Sequence, residues 1–179
     1  YFVVEGAEKV IVSHERKAEN RLYIVKSLDT SYSLSAQIKS VPNDSFKYAR
    51  TTVVNMHDKT EIFTVRLPSI PHQIPLFILF RALGVESDKE ILEYILYELD
   101  SEKAQLFMDT LLPTIENNWN VFTQSEAIKY LAQLTLGNTT SHLMNIIESD
   151  VFPHIGDDFN HKAYYLGHTV HKILNVHFN

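Results

Sequence analysis

The hydrophobic period changes once along this chain, near Pro75, and that change limits the folds open to it. Before Pro75, apolar residues alternate or form short β-branched runs, which is typical of strands. After Pro75, apolar residues recur at three- and four-residue spacing, which is typical of amphipathic helices. A strand-rich amino-terminal half followed by a helical half predicts the α+β class rather than a repeating βαβ unit.

Strands are predicted through most of the first half. The first two, at 1–4 and 9–13, flank a turn at Glu5–Ala7, where Gly6 supplies a positive φ at little steric cost. The next strands are predicted at 21–26, 32–39, 50–55 and 61–66. Turn-forming residues connect these later strands, at 29–31, 42–45 and 57–59. Because parallel crossovers need about a dozen residues or more, the short connections predict an antiparallel meander.

Helices are predicted through the rest of the chain. The first, Pro75–Leu83, is apolar on every side and should be buried, with its proline in the first turn. The capping-box spacing Ser/Thr-x-x-Glu occurs twice, starting at Ser87 and at Thr123. A helix over 102–112 is expected to stop before Pro113. Further helices are predicted at 88–99, from residue 123 onward, at 142–151 and at 160–177.

Composition excludes several classes of protein. The 179 residues contain no cysteine, so disulfides, cysteine zinc sites and cysteine nucleophiles are ruled out. No apolar run approaches the roughly 20 residues of a membrane span, and no signal-peptide pattern opens the chain. We therefore expect an intracellular protein with no membrane partner.

Charge is unevenly distributed along the sequence. The net charge is −6 at pH 7, whereas a free-standing DNA-binding module usually carries a basic patch. However, Lys9, Arg16, Lys17 and Arg21 cluster near the start, and acidic residues concentrate after Glu86. The first half is therefore suited to contact with phosphate groups, and the second half to contact with protein or water.

A metal site finds little support in the sequence. His168 and His171 are three residues apart on the last predicted helix, so they can share a face. Zinc sites, however, need three or four convergent ligands, and no His-Glu-x-x-His arrangement occurs. Partly exposed helix histidines are the favoured interpretation, and we predict no metal in this chain.

Catalytic residues are not predicted either. Ser13 and His14 have the residue types of a nucleophile and its base, but neighbours on a strand point to opposite faces. The chain has no Gly-x-Ser-x-Gly elbow and no glycine-rich loop for phosphate. The carboxylates of Glu148 and Asp150 are interpreted as solvated surface.

Five short motifs occur along the chain, the first being Gly6-x-Glu-Lys-Val-x-x-x-x-Glu-Arg16. The others, in chain order, are Leu67-Pro-x-Ile70, Ile74-Pro75 continuing to Phe80-Arg-Ala-Leu-Gly84, Glu90-Ile-Leu-Glu93, and Phe152-Pro-His-Ile155 followed by Lys162-Ala-Tyr-Tyr-Leu-Gly167. Together these motifs resemble the second-largest subunit of multisubunit DNA-directed RNA polymerases. Departures around the first motif, at Val4-Glu5, Ala7 and Ser13-His14, suggest a divergent lineage such as a large DNA virus.

The resemblance implies a domain boundary. Residues 1–19 would be the edge of the subunit's protrusion domain, and residues 20–179 would be its lobe domain. The polar stretch at 16–20 separates two strand regions at the same place. An apolar first strand also favours an excised piece of a longer chain.

Lys9, Arg16 and Lys17 are the candidate nucleic-acid-binding residues. Three cations beside a strand can neutralise phosphates without reading sequence. From the residues alone, ordinary solvent-facing charges are the favoured interpretation. The resemblance changes this, because it implies that the stretch borders the main cleft, near the template DNA and the nascent RNA.

Structural roles are predicted for four residues: Gly6, Arg81, Gly84 and Gly167. Arg81 lies in an apolar run and must find a partner, for which the next helix offers Glu90 or Glu93. The 77–84 stretch is interpreted as the junction between the sheet and the helices. The 164–167 stretch, Tyr-Tyr-Leu-Gly, is interpreted as packing, with its glycine allowing a close helix contact.

Two functions remain open. The resemblance implies a non-catalytic lobe of DNA-directed RNA polymerase, which helps to form the DNA cleft and docks other subunits or initiation factors. In that family Mg²⁺ is held by the largest subunit, so no cofactor is expected in this chain. The location would be the nucleus of a eukaryotic cell or, for a virus, the host cytoplasm, the host nucleus or the virion. The alternative is a stand-alone α+β protein-interaction domain.

Overall fold

The computed structural model describes residues 1–26, 31–43, 48–117, 120–137 and 139–179. Within these residues, a two-stranded hairpin is followed by a five-stranded sheet and then by six helices. The predicted α+β class, with strands first and helices second, is confirmed. None of the helices in the described ranges is long and apolar enough to cross a membrane.

The amino-terminal hairpin pairs β1 (Phe2–Val4) with β2 (Ala7–Lys9) in antiparallel register. Its turn places Glu5 at φ +54° and Gly6 at φ +76°, which is the backbone that a two-residue hairpin loop requires. The predicted second strand over 9–13 is therefore wrong. A two-residue turn fixes the register, so the strand that pairs with β1 must start directly after the turn.

The main sheet is an antiparallel meander in the order β3-β4-β5-β6-β7, as predicted. Its strands are β3 (Leu22–Lys26), β4 (Tyr32–Ser40), β5 (Arg50–His57), β6 (Phe63–Arg66) and β7 (Ile74–Pro75). The sequence gives no strand signal for β7, which is only two residues long and directly precedes a helix. The predicted turns at 29–31 and 42–45 lie partly outside the described residues.

Six helices follow, and the first is fully buried as predicted. They are α1 (Leu76–Ala82), α2 (Asp88–Leu96), α3 (Glu102–Glu116), α4 (Gln124–Leu134), α5 (Thr140–Asp150) and α6 (Phe159–His177). The capping box that opens α4 is confirmed, because Thr123 and Glu126 bond each other's backbone N–H groups. Backbone donation from Phe122 and Thr123 lowers the pKa of Glu126.

Two predictions about helix ends are wrong. Ser87 precedes α2, but its side chain makes no capping hydrogen bond. The third helix continues through Pro113 to the end of α3. A proline removes one helical hydrogen bond. The last turn of α3 is nevertheless attached to β6, because the hydroxyl of buried Thr114 accepts a hydrogen bond from the backbone N–H of Phe63 at 3.0 Å.

One hydrophobic core joins the sheet to the helices. The long helix α6 packs against β3, β4 and β5, and α1 packs against β6 and β7. The largest fully buried apolar side chains include Phe63, Phe77, Phe80, Phe107 and Phe152. Each large apolar side chain stabilises the fold by about 1.5–3 kcal/mol on burial. The core therefore fixes the helical half on one face of the sheet.

Candidate nucleic-acid interface

The three predicted nucleic-acid-binding cations lie in the exposed amino-terminal part of the chain. Lys9 ends β2, and Arg16 and Lys17 follow in a connector that has no regular structure. The ammonium of Lys17 lies 5.5 Å from the ring centroid of Tyr23 on the edge strand β3. Arg16 and Lys17 therefore lie beside the main sheet, while Lys9 stays on the hairpin.

Glu19 links a fourth cation, Lys39 on β4, to the connector. Its carboxylate accepts a hydrogen bond from Lys39 Nζ at 2.9 Å and lies 3.8 Å from the Arg16 guanidinium. The hydrogen bond from Lys39 is the main reason that the pKa of Glu19 is lowered. Sequence reasoning does not predict Lys39 as a site residue. The alternation of β4 indicates an exposed side chain there, but no spacing rule pairs it with a residue 20 positions earlier.

Asn20 attaches the connector to the sheet. Its backbone N–H donates to the Lys39 carbonyl oxygen at 2.9 Å, and its side chain exchanges hydrogen bonds of 2.9 and 2.6 Å with the backbone of Val41. Asn20 has φ +57°, a conformation that Asn tolerates better than most residues. All residues before position 19 are exposed. The predicted domain boundary between residues 19 and 20 stays a prediction.

Arg81 is buried at the junction between sheet and helices, with only 2% of its surface exposed. Its ion-pair partner is Asp88, not the predicted Glu90 or Glu93. The guanidinium also donates to the carbonyl oxygens of Val121 and Glu86. Asp88 is the first residue of α2, and a carboxylate at that end is also favoured by the helix dipole.

Gly84 forms the turn between α1 and α2. It has φ +103°, a conformation that L side chains rarely adopt. The Gln124 side-chain amide donates to the Ala82 carbonyl at 3.3 Å beside this turn, and the Gln124 backbone N–H donates to Glu86 at 2.7 Å. These two hydrogen bonds attach the start of α4 to the turn between α1 and α2, close to Arg81 and Gly84.

Asp150 is buried, with 1% of its surface exposed, so its interpretation as solvated surface is wrong. Its carboxylate accepts hydrogen bonds from Arg50 Nε at 2.8 Å, from Ser149 Oγ at 3.0 Å and from Ser69 Oγ. Glu148, by contrast, is exposed. Asp150 therefore ties the end of α5 to β5 and to the loop after β6.

The histidines of α6 make hydrogen bonds within the fold. His168 Nδ1 lies 2.8 Å from the Tyr97 hydroxyl, and His171 Nδ1 lies 2.8 Å from the Ile95 carbonyl oxygen. Burial lowers the pKa of both residues. In the part of the chain that the structure describes, no group of three His, Asp or Glu side chains could hold a metal ion.

The 164–167 stretch has two different environments. A Cβ on Gly167 would lie 2.6 Å from the Tyr94 carbonyl oxygen, so the glycine sits at a very close contact between α2 and α6. Tyr165 packs edge-to-face on Phe152, with ring centroids 4.9 Å apart. Tyr164 is 54% exposed, so its predicted packing is limited to ring contacts with Tyr94 and Tyr97, whose centroids lie 6.1 and 6.3 Å from its own.

Comparison with known proteins gives the family. The family model described as RNA polymerase Rpb2, domain 2, matches residues 9–179. The chain belongs to this family. The matched range includes the three candidate cations, Arg81 and its partner Asp88, and Asp150 and its partner Arg50. It begins at Lys9, so it leaves out Gly6.

Full-length relatives agree with this assignment. RNA polymerase II subunit RPB2 of Encephalitozoon cuniculi is 36% identical over 98% of this chain, which is 16% of that protein. RNA polymerase subunit Rpo2 of Saccharolobus shibatae is 29% identical over 99% of this chain and 16% of that protein. The chain therefore spans about a sixth of the length of these curated relatives. The predicted resemblance to the second-largest subunit is confirmed, and a viral origin stays a prediction.

Proposed function

We propose that this Rpb2 domain 2 chain is a non-catalytic wall of the DNA cleft in a multisubunit DNA-directed RNA polymerase. The observation that carries the proposal is the family match over residues 9–179. In this proposal the chain supplies a rigid surface, and the nucleotidyl transfer takes place elsewhere in the enzyme. The Mg²⁺ of the complete polymerase would be held by the largest subunit, as the resemblance implies.

The nucleic-acid side of the wall is the amino-terminal connector. Lys9, Arg16 and Lys17 are all exposed, and none of them lies in the hydrophobic core. Arg16 is held only loosely, by a 3.8 Å ion pair with Glu19, and exposed pairs of this kind contribute little stability. These exposed side chains can therefore reach phosphates, to which they would give affinity without sequence preference.

The protein side of the wall includes the hairpin. Its apolar residues are exposed together with those of the segment that follows, namely Tyr1, Phe2, Val3, Val4, Val10, Ile11 and Val12. Exposed strand edges and contiguous apolar surface are typical of segments that pair with further polypeptide. We infer that this surface docks against another part of the polymerase, either in the same subunit or in a neighbouring one. Initiation factors are further candidate partners of the helical half.

A photocrosslinking experiment tests the cleft-wall proposal. A photoreactive amino acid is placed at position 16 in the complete second-largest subunit, and the polymerase is assembled on a labelled DNA template. Crosslinking to DNA or nascent RNA is expected at position 16 and not at the control position, Lys129, which is exposed on α4. Absence of a crosslink at position 16, or equal crosslinks at both, would contradict the proposal.

The stand-alone interaction domain is tested by purification. The protein is isolated from its native cell through an affinity tag on its gene, and its partners are identified by mass spectrometry. The proposal predicts the largest polymerase subunit among the partners, and a reading frame that continues into Asp-x-Asp-x-x-Gly-x-Lys-Arg. Recovery of the domain without polymerase subunits would favour the alternative.

A further inference from the structure

The solvent side of α6 differs in charge from the rest of the chain. The helix has no acidic residue in its 19 positions, although the whole chain has a net charge of −6 at pH 7. Its basic residues are two lysines and four histidines, namely Lys162, Lys172, His161, His168, His171 and His177. The carboxylate that precedes it, Asp158, caps the first turn and lies 3.3 Å from His161 Nδ1. Tyr164 and Lys172 are exposed, so α6 presents an aromatic ring and a cation to solvent.

Tyr164, His168 and Lys172 form one line along this side of α6. They are four residues apart, and side chains at that spacing are neighbours on a helix, so the line is about 12 Å long. Tyr97, directly after α2, lies beside it, because its hydroxyl is 2.8 Å from His168 Nδ1 and its ring centroid is 6.3 Å from that of Tyr164. We call these four residues the α6 face. The contacts hold the rings in place before any ligand arrives, which lowers the entropy cost of binding.

Lysines are the charged groups beside the α6 face. Burial, and then the charge of Lys172, lowers the pKa of His168. Burial likewise lowers the pKa of His171, with smaller contributions from Lys172 and Lys103. Lys103 Nζ donates to the Asn175 side-chain oxygen at 2.6 Å, which holds a second ammonium against α6. Among the described residues, no carboxylate shifts the pKa of either histidine, so the surroundings of the face favour an anionic ligand.

Carboxylates border the α6 face on the side of α2. Tyr94 on α2 packs edge-to-face on Tyr164, with ring centroids 6.1 Å apart. Burial, and then the charge of Glu90, raises the pKa of Tyr94. Glu98 and Asp100 lie in the segment after α2, where they line a surface cleft. A polyanion would therefore run along α6, past its lysines, rather than across α2.

We propose that the α6 face binds single-stranded nucleic acid. An unpaired base would stack on the Tyr164 ring, which is 54% exposed, and phosphates of the same strand would lie at Lys172 and Lys103. Aromatic rings beside cations are how proteins hold single strands without reading their sequence. An acidic peptide would pair with the lysines but, unlike a single strand, does not offer a planar ring at every unit. The inference goes beyond the cleft-wall function, because it adds a second site in the helical half that does not depend on the amino-terminal cations.

A binding titration tests this proposal. The 179-residue chain is added at low salt to a fluorescent oligothymidylate, to a DNA duplex of equal length and to an oligoglutamate peptide. Tyr164→Ala should weaken oligothymidylate binding about five- to tenfold, the lower part of the range for one base stacked on an aromatic ring. It should leave duplex binding unchanged, because paired bases are not available to stack on Tyr164. Lys172→Gln should also weaken oligothymidylate binding and reduce its salt dependence, by a slope of about 0.7 for one lost phosphate contact.

The matched controls are Lys129→Gln and Tyr130→Ala, which remove an exposed lysine and an exposed tyrosine from α4. Both should bind oligothymidylate as the parent chain does. Tyr164 and Lys172 are exposed, so thermal melts of their variants should match that of the parent chain. Lys172→Gln tests the face independently if Tyr164→Ala proves less stable.

Three results would overturn the proposal. The first is absence of oligothymidylate binding at low salt. The second is an equal effect of the α6 and α4 variants, which would reduce the interaction to general attraction. The third is tighter binding of oligoglutamate, which would assign the face to an acidic protein segment. The Lys9→Glu/Arg16→Glu chain should keep the five- to tenfold effect of Tyr164→Ala on oligothymidylate, which separates this test from that of the cleft wall.

Discussion

Gly167 on α6 faces the backbone of Tyr94 on α2 so closely that a Cβ would lie 2.6 Å from the Tyr94 carbonyl oxygen. Real Cβ atoms essentially never come so near a backbone oxygen. The two helices therefore meet backbone to backbone at this point. The contact places Tyr94 and Tyr97 beside the residues of α6 that surround them.

Gly167→Ala should destabilise the chain by about 1–3 kcal/mol, the usual cost of overpacking. Helix propensity alone predicts the opposite sign, because Ala stabilises a helix interior by about 0.5–1 kcal/mol relative to Gly. Urea denaturation measures the difference. The comparison variant is Gly137→Ala, where the nearest atom is Cδ2 of the His142 side chain at 3.0 Å rather than backbone, and it should lose less stability than Gly167→Ala. A Gly167→Ala chain more stable than the parent would contradict the close contact.

Asp88→Asn should destabilise the chain by about 1.5–3 kcal/mol, the range for a hydrogen bond to a charged group. The reason is that it leaves the buried Arg81 guanidinium without its carboxylate. Glu90→Gln and Glu93→Gln are the matched controls and should change stability by less than about 0.5 kcal/mol. Chemical denaturation of the three variants decides between them. A larger loss for either glutamate variant would mean that Arg81 pairs with that residue instead.

Asp150→Asn should cost about 1.5–3 kcal/mol, because the Arg50 guanidinium and the serine hydroxyls lose a charged acceptor. Glu148→Gln, two residues earlier and exposed, should have almost no effect. Urea midpoints of the two variants give the comparison. If both variants were equally stable, Asp150 would be a surface residue after all.

Stability should fall as the pH drops below about 6.5. Burial lowers the pKa of His154, His168 and His171 below their ordinary value of 6.5, so the unfolded chain binds protons more readily than the folded one. The stabilisation is therefore complete above the unfolded pKa and is lost as the pH falls through it toward the folded values. Thermal unfolding between about pH 7.5 and pH 5 measures this loss. The slope should be smaller in His154→Gln, and an equal slope would exclude His154 as a contributor.

The fold could be predicted largely from hydrophobic period. The α4 capping box and the meander follow from local spacing, because short connections and capping residues act within a few positions of the chain. The extension of α3 past Pro113 could not be predicted, since it depends on a bond from Phe63 to Thr114, 51 positions away. The burial of Asp150 was predictable in part. It follows Ile146 and Ile147 at helical spacing, on the buried face of α5.

Less of the candidate site than of the fold could be predicted from the sequence. Charge and the family resemblance predict the three cations, but the pairing of Lys39 with Glu19 joins two separate segments of the chain, which no local pattern indicates. The choice of Asp88 over Glu90 as the partner of Arg81 depends on the tight turn at Gly84, which sets where α2 begins. The ring contact between Tyr97 and Tyr164 depends on how α2 crosses α6, and no spacing within either helix indicates that crossing.

Binding of a fluorescent DNA duplex by the 179-residue chain, across a salt series, tests the nucleic-acid face most directly. The proposal predicts weak binding that falls with salt, because each phosphate contact releases counterions. Lys9→Glu/Arg16→Glu should abolish binding, whereas Lys89→Glu/Lys129→Glu, which changes the charge equally on α2 and α4, should reduce it only slightly. No binding at low salt, or equal loss in both double variants, would contradict a nucleic-acid face at the amino-terminal connector.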